Sequence, residues 1–208
     1  MDSKTYETKD NGAKLETYEW DNVWWEHTED GVKPRIMYIG DSISAGLRNH
    51  AQKKLENQIL IDRFGTSKAV DNTYFTESIR LFGVQQGRRN LIIFNNGLHG
   101  WHLHDTEEYR IHYEKIVCFL QKEYPGTKIA LVLTTSVVGE RNDRVIVRNN
   151  VVRKIADKYS LPVIDMYKAS IECFSFICDD GVHFKEAGYE KMAERLVKEV
   201  YNIIFPME

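Results

Sequence analysis

Five short apolar runs, each closed by small or polar residues, alternate with stretches of helical periodicity, and this alternation restricts what the chain can become. The runs are 35–39 (RIMYI), 58–62 (QILID), 90–95 (NLIIFN), 128–134 (KIALVLT) and 161–165 (LPVID). They are rich in Ile, Leu and Val, and too short to be helices that bury a full face. That is the pattern of parallel strands covered on both sides. Between them, apolar residues recur at helical spacing. Segment 73–82 aligns Phe75, Ile79 and Phe82, and 107–123 aligns Ile111, Lys115, Cys118 and Phe119. Segment 145–159 aligns Val147, Val151, Val152, Ile155 and Tyr159, and 185–204 aligns Tyr189, Met192, Leu196, Val200 and Ile203. A helix over 42–55 is expected on weaker periodicity. Strand and helix in turn predict an α/β domain of three layers, with helices on both faces of a five-stranded, mainly parallel sheet.

The 208 residues suit one such domain, and neither a repeat nor a low-complexity tract divides them. The domain is expected over 34–208, with 1–33 as an N-terminal extension packing on it and the first nineteen residues loosely ordered. Within the extension stand Trp20, Trp24 and Trp25. Indoles so placed either clamp across the domain and become buried or form a platform for a flat ligand such as a sugar. A net charge of −3, with no basic tract, gives no basis for a nucleic-acid partner. The N-terminus has no apolar core of the kind a signal peptide needs, and apolar runs such as 91–94 and 129–133 are far too short to span a bilayer. Cys118, Cys173 and Cys178 are few, odd in number and irregularly spaced. Reduced thiols in the cytoplasm are therefore expected rather than a disulfide framework.

In a doubly wound sheet, ligands sit beyond the carboxyl ends of the strands. The residues that close the strands are Asp41-Ser42, Gly65, Asn95 to His99 and Ser136. Ser42 stands at the turn from the first strand into a helix, where its hydroxyl is exposed beside free backbone N–H groups. A serine there also serves simply as a helix cap. Near the other end of the chain, Asp180-Gly181-Val182-His183 precedes the last amphipathic stretch. A histidine there can take a serine proton, and a carboxylate three residues earlier can hold its other ring nitrogen. Gly-x-Ser-x-Gly, Gly-x-Gly-x-x-Gly and P-loop patterns do not occur, so neither the α/β-hydrolase elbow nor a nucleotide cofactor is supported. No cofactor is expected.

Gly40-Asp41-Ser42-Ile43 after an apolar strand resembles the first block of the GDSL/SGNH hydrolases. Asp180-Gly181-Val182-His183, followed by Phe184 and Gly188, resembles their last block. The two have the family's order and separation, and the resemblance covers the chain from about Pro34 onward. It implies a flavodoxin-like SGNH fold and a serine esterase with Ser42 as nucleophile, His183 as base and Asp180 as its orienting acid. It also implies that Gly65 is an oxyanion donor, with a further donor from the loop after the third strand. There the chain departs from the family's Gly-x-Asn-Asp. Asn95-Asn96-Gly97-Leu98-His99-Gly100 puts His99 at the asparagine position, with Asn95 as the rival donor. An Asn-x-Gly-Leu-His stretch is similar to that of carbohydrate-acting members.

The implied chemistry is acyl transfer through an acyl-enzyme, without a metal. His99, His102, His104 and Asp105 form a dense cluster that a metal-dependent hydrolase would use, but their spacing matches no zinc motif. A small O-acetyl ester on an oligosaccharide is the expected substrate, because no long apolar lid is evident and Trp101, His102, Asn142, Asp143 and Arg144 fall near the expected rim. The alternatives are a lysophospholipase or thioesterase, and a catalytically silent carbohydrate-binding protein on the same fold.

Overall fold

The computed structural model describes residues 15–206. Its strands are β1 (Asp21–Trp24), β2 (Arg35–Gly40), β3 (Leu60–Thr66), β4 (Leu91–Phe94), β5 (Lys128–Val132) and β6 (Val163–Ile164). The helices are α1 (Ser42–Lys54), α2 (Phe75–Gln86), α3 (Thr106–Glu123), α4 (Arg141–Tyr159), α5 (Met166–Glu172) and α6 (Glu186–Ile204). The sheet order is β1-β3-β2-β4-β5-β6, in which every pairing is parallel except β1 with β3. The five parallel strands therefore follow the flavodoxin-like order. The sheet has six strands rather than five.

The additional strand, β1, has the sequence DNVW and all four of its residues are exposed. An edge strand needs no apolar run, so hydrophobic patterning gave no sign of it. Its pairing also accounts for the length of β3. Asp21 to Trp24 run opposite Thr66 to Arg63, while Arg35 to Gly40 lie beside Leu60 to Gly65. With both edges paired, β3 continues past residue 62 and carries Gly65 inside the ladder rather than at the strand's close.

Alternation along the strands divides the core into two clusters. Ile36, Tyr38, Leu91 and Ile93 face α1 and α6, meeting Leu47, Ala51, Met192 and Leu196. Met37, Ile39, Ile92 and Phe94 face the other way, meeting Phe75 and Ile79 of α2, Tyr113 and Val117 of α3, and Val151 and Ile155 of α4. Each of these strand side chains is 0–1% exposed. Full burial of such a side chain contributes roughly 1.5–3 kcal/mol, so the sheet is the stable platform on which the loops rest. At the opposite end from those loops, Arg35 and Asp62 form a buried ion pair at 2.9 Å, and Arg35 also donates to the carbonyls of Glu26, His27 and Asp30. This anchors the segment after β1.

The strand order reverses between β2 and its neighbours β3 and β4. The connections after β2 and β4 leave toward opposite faces, and a crevice opens between them at the carboxyl ends. α1 begins there, and residues 95–101 lie beside it.

Candidate active site

Gly40 closes β2, and a Cβ on it would stand 2.8 Å from the Ser44 Cβ, so the tight turn into α1 requires glycine. Asp41 is the N-cap and its side chain accepts from the Ile43 N–H at 2.9 Å. The cap role is thus filled by Asp41, which leaves the Ser42 hydroxyl at the first helical position available. Arg63 braces this turn from β3. Its Nε donates to Ser44 Oγ (2.7 Å) and its Nη2 to the Asp41 carbonyl (3.2 Å), while Ser44 Oγ donates to the same carbonyl (2.5 Å). The guanidinium lies across Gly65, where any Cβ would collide with it.

The loop before α6 carries the second part. Asp180 Oδ1 accepts from the Val182 and His183 N–H groups, both at 2.9 Å, and Oδ2 stands 2.7 Å from His183 Nδ1. Burial works against the Asp180 charge, but these hydrogen bonds outweigh it and hold its carboxyl below the usual range. An ionised carboxylate only accepts, so the Nδ1 proton is held there and Nε2 carries the lone pair. Nε2 lies 2.7 Å from Ser42 Oγ. Cys178 N–H donates to the His183 carbonyl at 2.7 Å and Val138 N–H to that of Gly181 at 2.8 Å, which ties the loop down at both sides.

The loop after β4 is held by Arg148 of α4. Its Nη1 donates to the carbonyls of Gly97 (2.9 Å) and His99 (2.8 Å), and its Nη2 to that of Gly100 (2.6 Å). The His99 ring, buried at 7% exposure, has Nδ1 2.9 Å from both carboxylate oxygens of Glu16.

Ser42, His99, Asp180 and His183 share the lining of one groove of about 350 Å³, with Trp20, Trp101, Leu98, Val137, Val182 and Arg141 completing it. Gly65 and Asn95 stand apart from this lining. Gly65 is opposite Asn22 in the β1–β3 ladder. Asn95 spends both amide hydrogens on Val132 O (2.8 Å) and Thr134 Oγ1 (3.0 Å), tying the end of β4 to β5.

The three extension tryptophans have separate environments. Trp25 stacks on Phe82 at 4.2 Å, Trp24 is 53% exposed with Arg48 over its ring, and Trp20 meets His99 edge-on at 6.1 Å. Of the rim residues, Trp101 lines the groove, while Asn142, His102 and Arg144 hold loops. Asn142 bridges Val137 N–H and Tyr167 OH, His102 stands 2.9 Å from Asp71, and Arg144 donates to the carbonyls of Trp101 and Leu103. His99 and His102 thus face different carboxylates. Among the described residues no three His, Cys, Asp or Glu side chains converge as metal ligands would, and no helix is long and apolar enough to cross a membrane. Sequence reasoning did not single out Glu16, Arg63, Arg141 or Arg148. Arg63 and Arg148 act through backbone carbonyls, and that role has no motif.

No family model and no curated protein matches the sequence. Solved structures do match the fold. An acetyl xylan esterase, AlAXEase, superimposes with a TM-score of 0.66 at 19% identity, covering 80% of this chain and 99% of its own. A carbohydrate acetylesterase from Sinorhizobium meliloti gives 0.68 at 14% identity, covering 82% and 100%. A member of the lipolytic G-D-S-L family from Veillonella parvula gives 0.67 at 18% identity, covering 79% and 96%. The chain has the flavodoxin-like α/β/α fold of these GDSL/SGNH-type esterases, with β1 pairing at the edge of its sheet.

Proposed function

We propose that this chain is a serine-dependent carboxylic ester hydrolase. The observation that carries the reading is the continuous relay Asp180–His183–Ser42, with 2.7 Å at each step. His183 Nε2 takes the Ser42 proton as Oγ attacks the ester carbonyl, and it returns that proton to the leaving alcohol. Water, activated by the same nitrogen, then frees the acid from the acyl-enzyme. The Ser42 N–H at the start of α1 and the His99 side chain meet the oxyanion. His99 is favoured over Asn95 because it borders the groove, whereas both Asn95 amide hydrogens are engaged elsewhere. Removal of one oxyanion donor costs roughly 10²- to 10³-fold in kcat. His99→Ala is therefore expected to lose that much on p-nitrophenyl acetate. Asn95→Ala should instead lower Tm, since it frees the end of β4 from β5. A kcat loss of that size in Asn95→Ala with little in His99→Ala would reverse the assignment.

The substrate class proposed is an O-acetyl ester on a carbohydrate. Two indoles, Trp20 and Trp101, line the groove and suit a pyranose face. The three cysteines are free thiols, which suits a reducing compartment such as the cytoplasm. Acetate release from acetylated xylo- or manno-oligosaccharides tests the substrate directly. Release at rates above those for lysophospholipids and acyl thioesters is expected. Turnover of the latter two alone would replace the carbohydrate reading with an acylhydrolase of lipids or thioesters.

A further inference from the structure

The groove is bordered by two carboxylate–histidine pairs, and the acyl-transfer relay uses only one. In the second, Glu16 and His99 are 2.9 Å apart with side chains only 1% and 8% exposed. Glu16 also accepts from the Gly100 N–H at 3.3 Å. Glu16 belongs to the segment before β1, outside the part of the chain that resembles the SGNH family. Its carboxylate faces Nδ1 with both oxygens, so that nitrogen must carry a proton. A neutral ring so held has a bare Nε2 and can only accept there, as His183 does. The ring donates from Nε2 only when it is charged. No described protein group takes Nε2.

Resting on the esterase reading above, we propose that Glu16 holds His99 as an imidazolium whose Nε2–H meets the oxyanion. Glu16 is thereby a positioning residue, and the two dyads do opposite work. Asp180 keeps His183 a base, while Glu16 keeps His99 a cation. The charged groups around the ring agree with this. Burial alone disfavours the charge, but Glu16, through its hydrogen bond and its charge, outweighs it, with Asp41 and Glu19 adding, and His99 lies above the usual imidazole range. Arg148 faces the His99 backbone carbonyl rather than the ring. Across the groove stand His183, Asp180 and Arg141. A charged donor strengthens as the carbonyl oxygen becomes an anion, which is where catalysis needs it.

The imidazolium exists below the folded-state value of His99 and is lost as pH rises through it, so kcat has an alkaline limb. Glu16→Gln removes the charge that raises that value, and the limb moves to lower pH. At the wild-type optimum, kcat falls about tenfold with KM nearly unchanged, as expected when a charge-assisted bond becomes a neutral one. His99→Asn retains a donor but cannot titrate, so its alkaline limb disappears. Glu16→Gln added to His99→Asn then costs at most about twofold more.

The experiment is the pH profile of kcat for the four proteins on p-nitrophenyl acetate, alongside imidazole ¹⁵N shifts of His99 against pH in wild type and Glu16→Gln. A limb that moves down in Glu16→Gln and vanishes in His99→Asn is the expected result. So is a ¹⁵N signature with both ring nitrogens protonated at neutral pH, lost in Glu16→Gln. A neutral Nδ1–H ring in wild type, an unmoved limb, or a Glu16→Gln loss that persists in full in the His99→Asn background would overturn the proposal. The ¹⁵N measurement needs no activity. A wild type that hydrolyses no ester therefore fails the esterase reading, while the shifts still decide whether Glu16 holds His99 charged.

Discussion

Ser42→Ala is expected to lower kcat for p-nitrophenyl acetate by roughly 10⁴- to 10⁶-fold while leaving the fold intact, the scale on which loss of a triad serine acts. The two halves of this expectation have separate causes. The chemical half follows from the 2.7 Å approach of His183 Nε2 to Ser42 Oγ, since alanine leaves the base with nothing to activate. The structural half follows from where the helix finds its cap. Asp41 accepts the Ile43 N–H, and Ser44 and Arg63 hold the Asp41 carbonyl. The Ser42 hydroxyl serves none of these contacts. Calorimetry should show Tm within about 2 °C of wild type, because a surface change that touches no such contact falls within about 0.5 kcal/mol. A large drop in Tm would mean that Ser42 is a structural residue.

Asp180→Asn is expected to be nearly as damaging, roughly 10⁴-fold in kcat, through the tautomer of His183. The asparagine Oδ1 can still accept the Val182 and His183 N–H groups that Asp180 Oδ1 holds at 2.9 Å. The loop therefore keeps its shape. The other terminus becomes an NH₂ that donates to Nδ1, which moves the imidazole proton to Nε2 and removes the base from Ser42. The signature is a collapse of kcat with an unchanged near-UV circular dichroism spectrum. Acid acts on the same pair. Asp180 is held below its ordinary range, so the ionised form is favoured by folding. Its contribution is present above the unfolded-state value and is lost as pH falls through the folded one. The loop should therefore loosen as acid protonates Asp180.

Most of the sheet was legible because burial on both faces leaves a strong mark. Residues 35–39 and 90–95 could be placed within a residue or two, since nothing but an apolar run fits a central parallel strand. β1 was not legible, because DNVW is an exposed edge strand held by backbone pairing that any sequence can make. The extended β3 follows from the same cause. The sequence places Gly65 at the close of the second strand, whereas it lies within β3. Its flanking Arg63 needs the empty Cβ position to reach Ser44 and Asp41, a long-range requirement that no local pattern encodes.

The relay was legible in part for a geometric reason. Asp-x-x-His places both partners on one short loop, so that spacing alone lets the carboxylate reach the ring. The donor proposed from the loop after β4 was open in the sequence between Asn95 and His99. That choice turns on where the Asn95 amide points, and its acceptors, Val132 and Thr134, lie 37 and 39 positions further along the chain. Glu16 was invisible for the same reason, standing 83 positions from His99 in a segment of polar composition. Trp20, Trp24 and Trp25 form one cluster in sequence but occupy the groove lining, an exposed edge and a stacked contact, because only Trp24 belongs to β1 while Trp20 and Trp25 flank it.

Mass spectrometry of the protein after exposure to a fluorophosphonate tests whether Ser42 is a nucleophile activated by His183 and Asp180. One adduct, located on the Ser42 peptide, is expected. It should be absent from Ser42→Ala and slowed by at least about 10³-fold in His183→Ala, where the serine has no base. An adduct on another residue, or ester hydrolysis that continues undiminished in Ser42→Ala, would contradict that role.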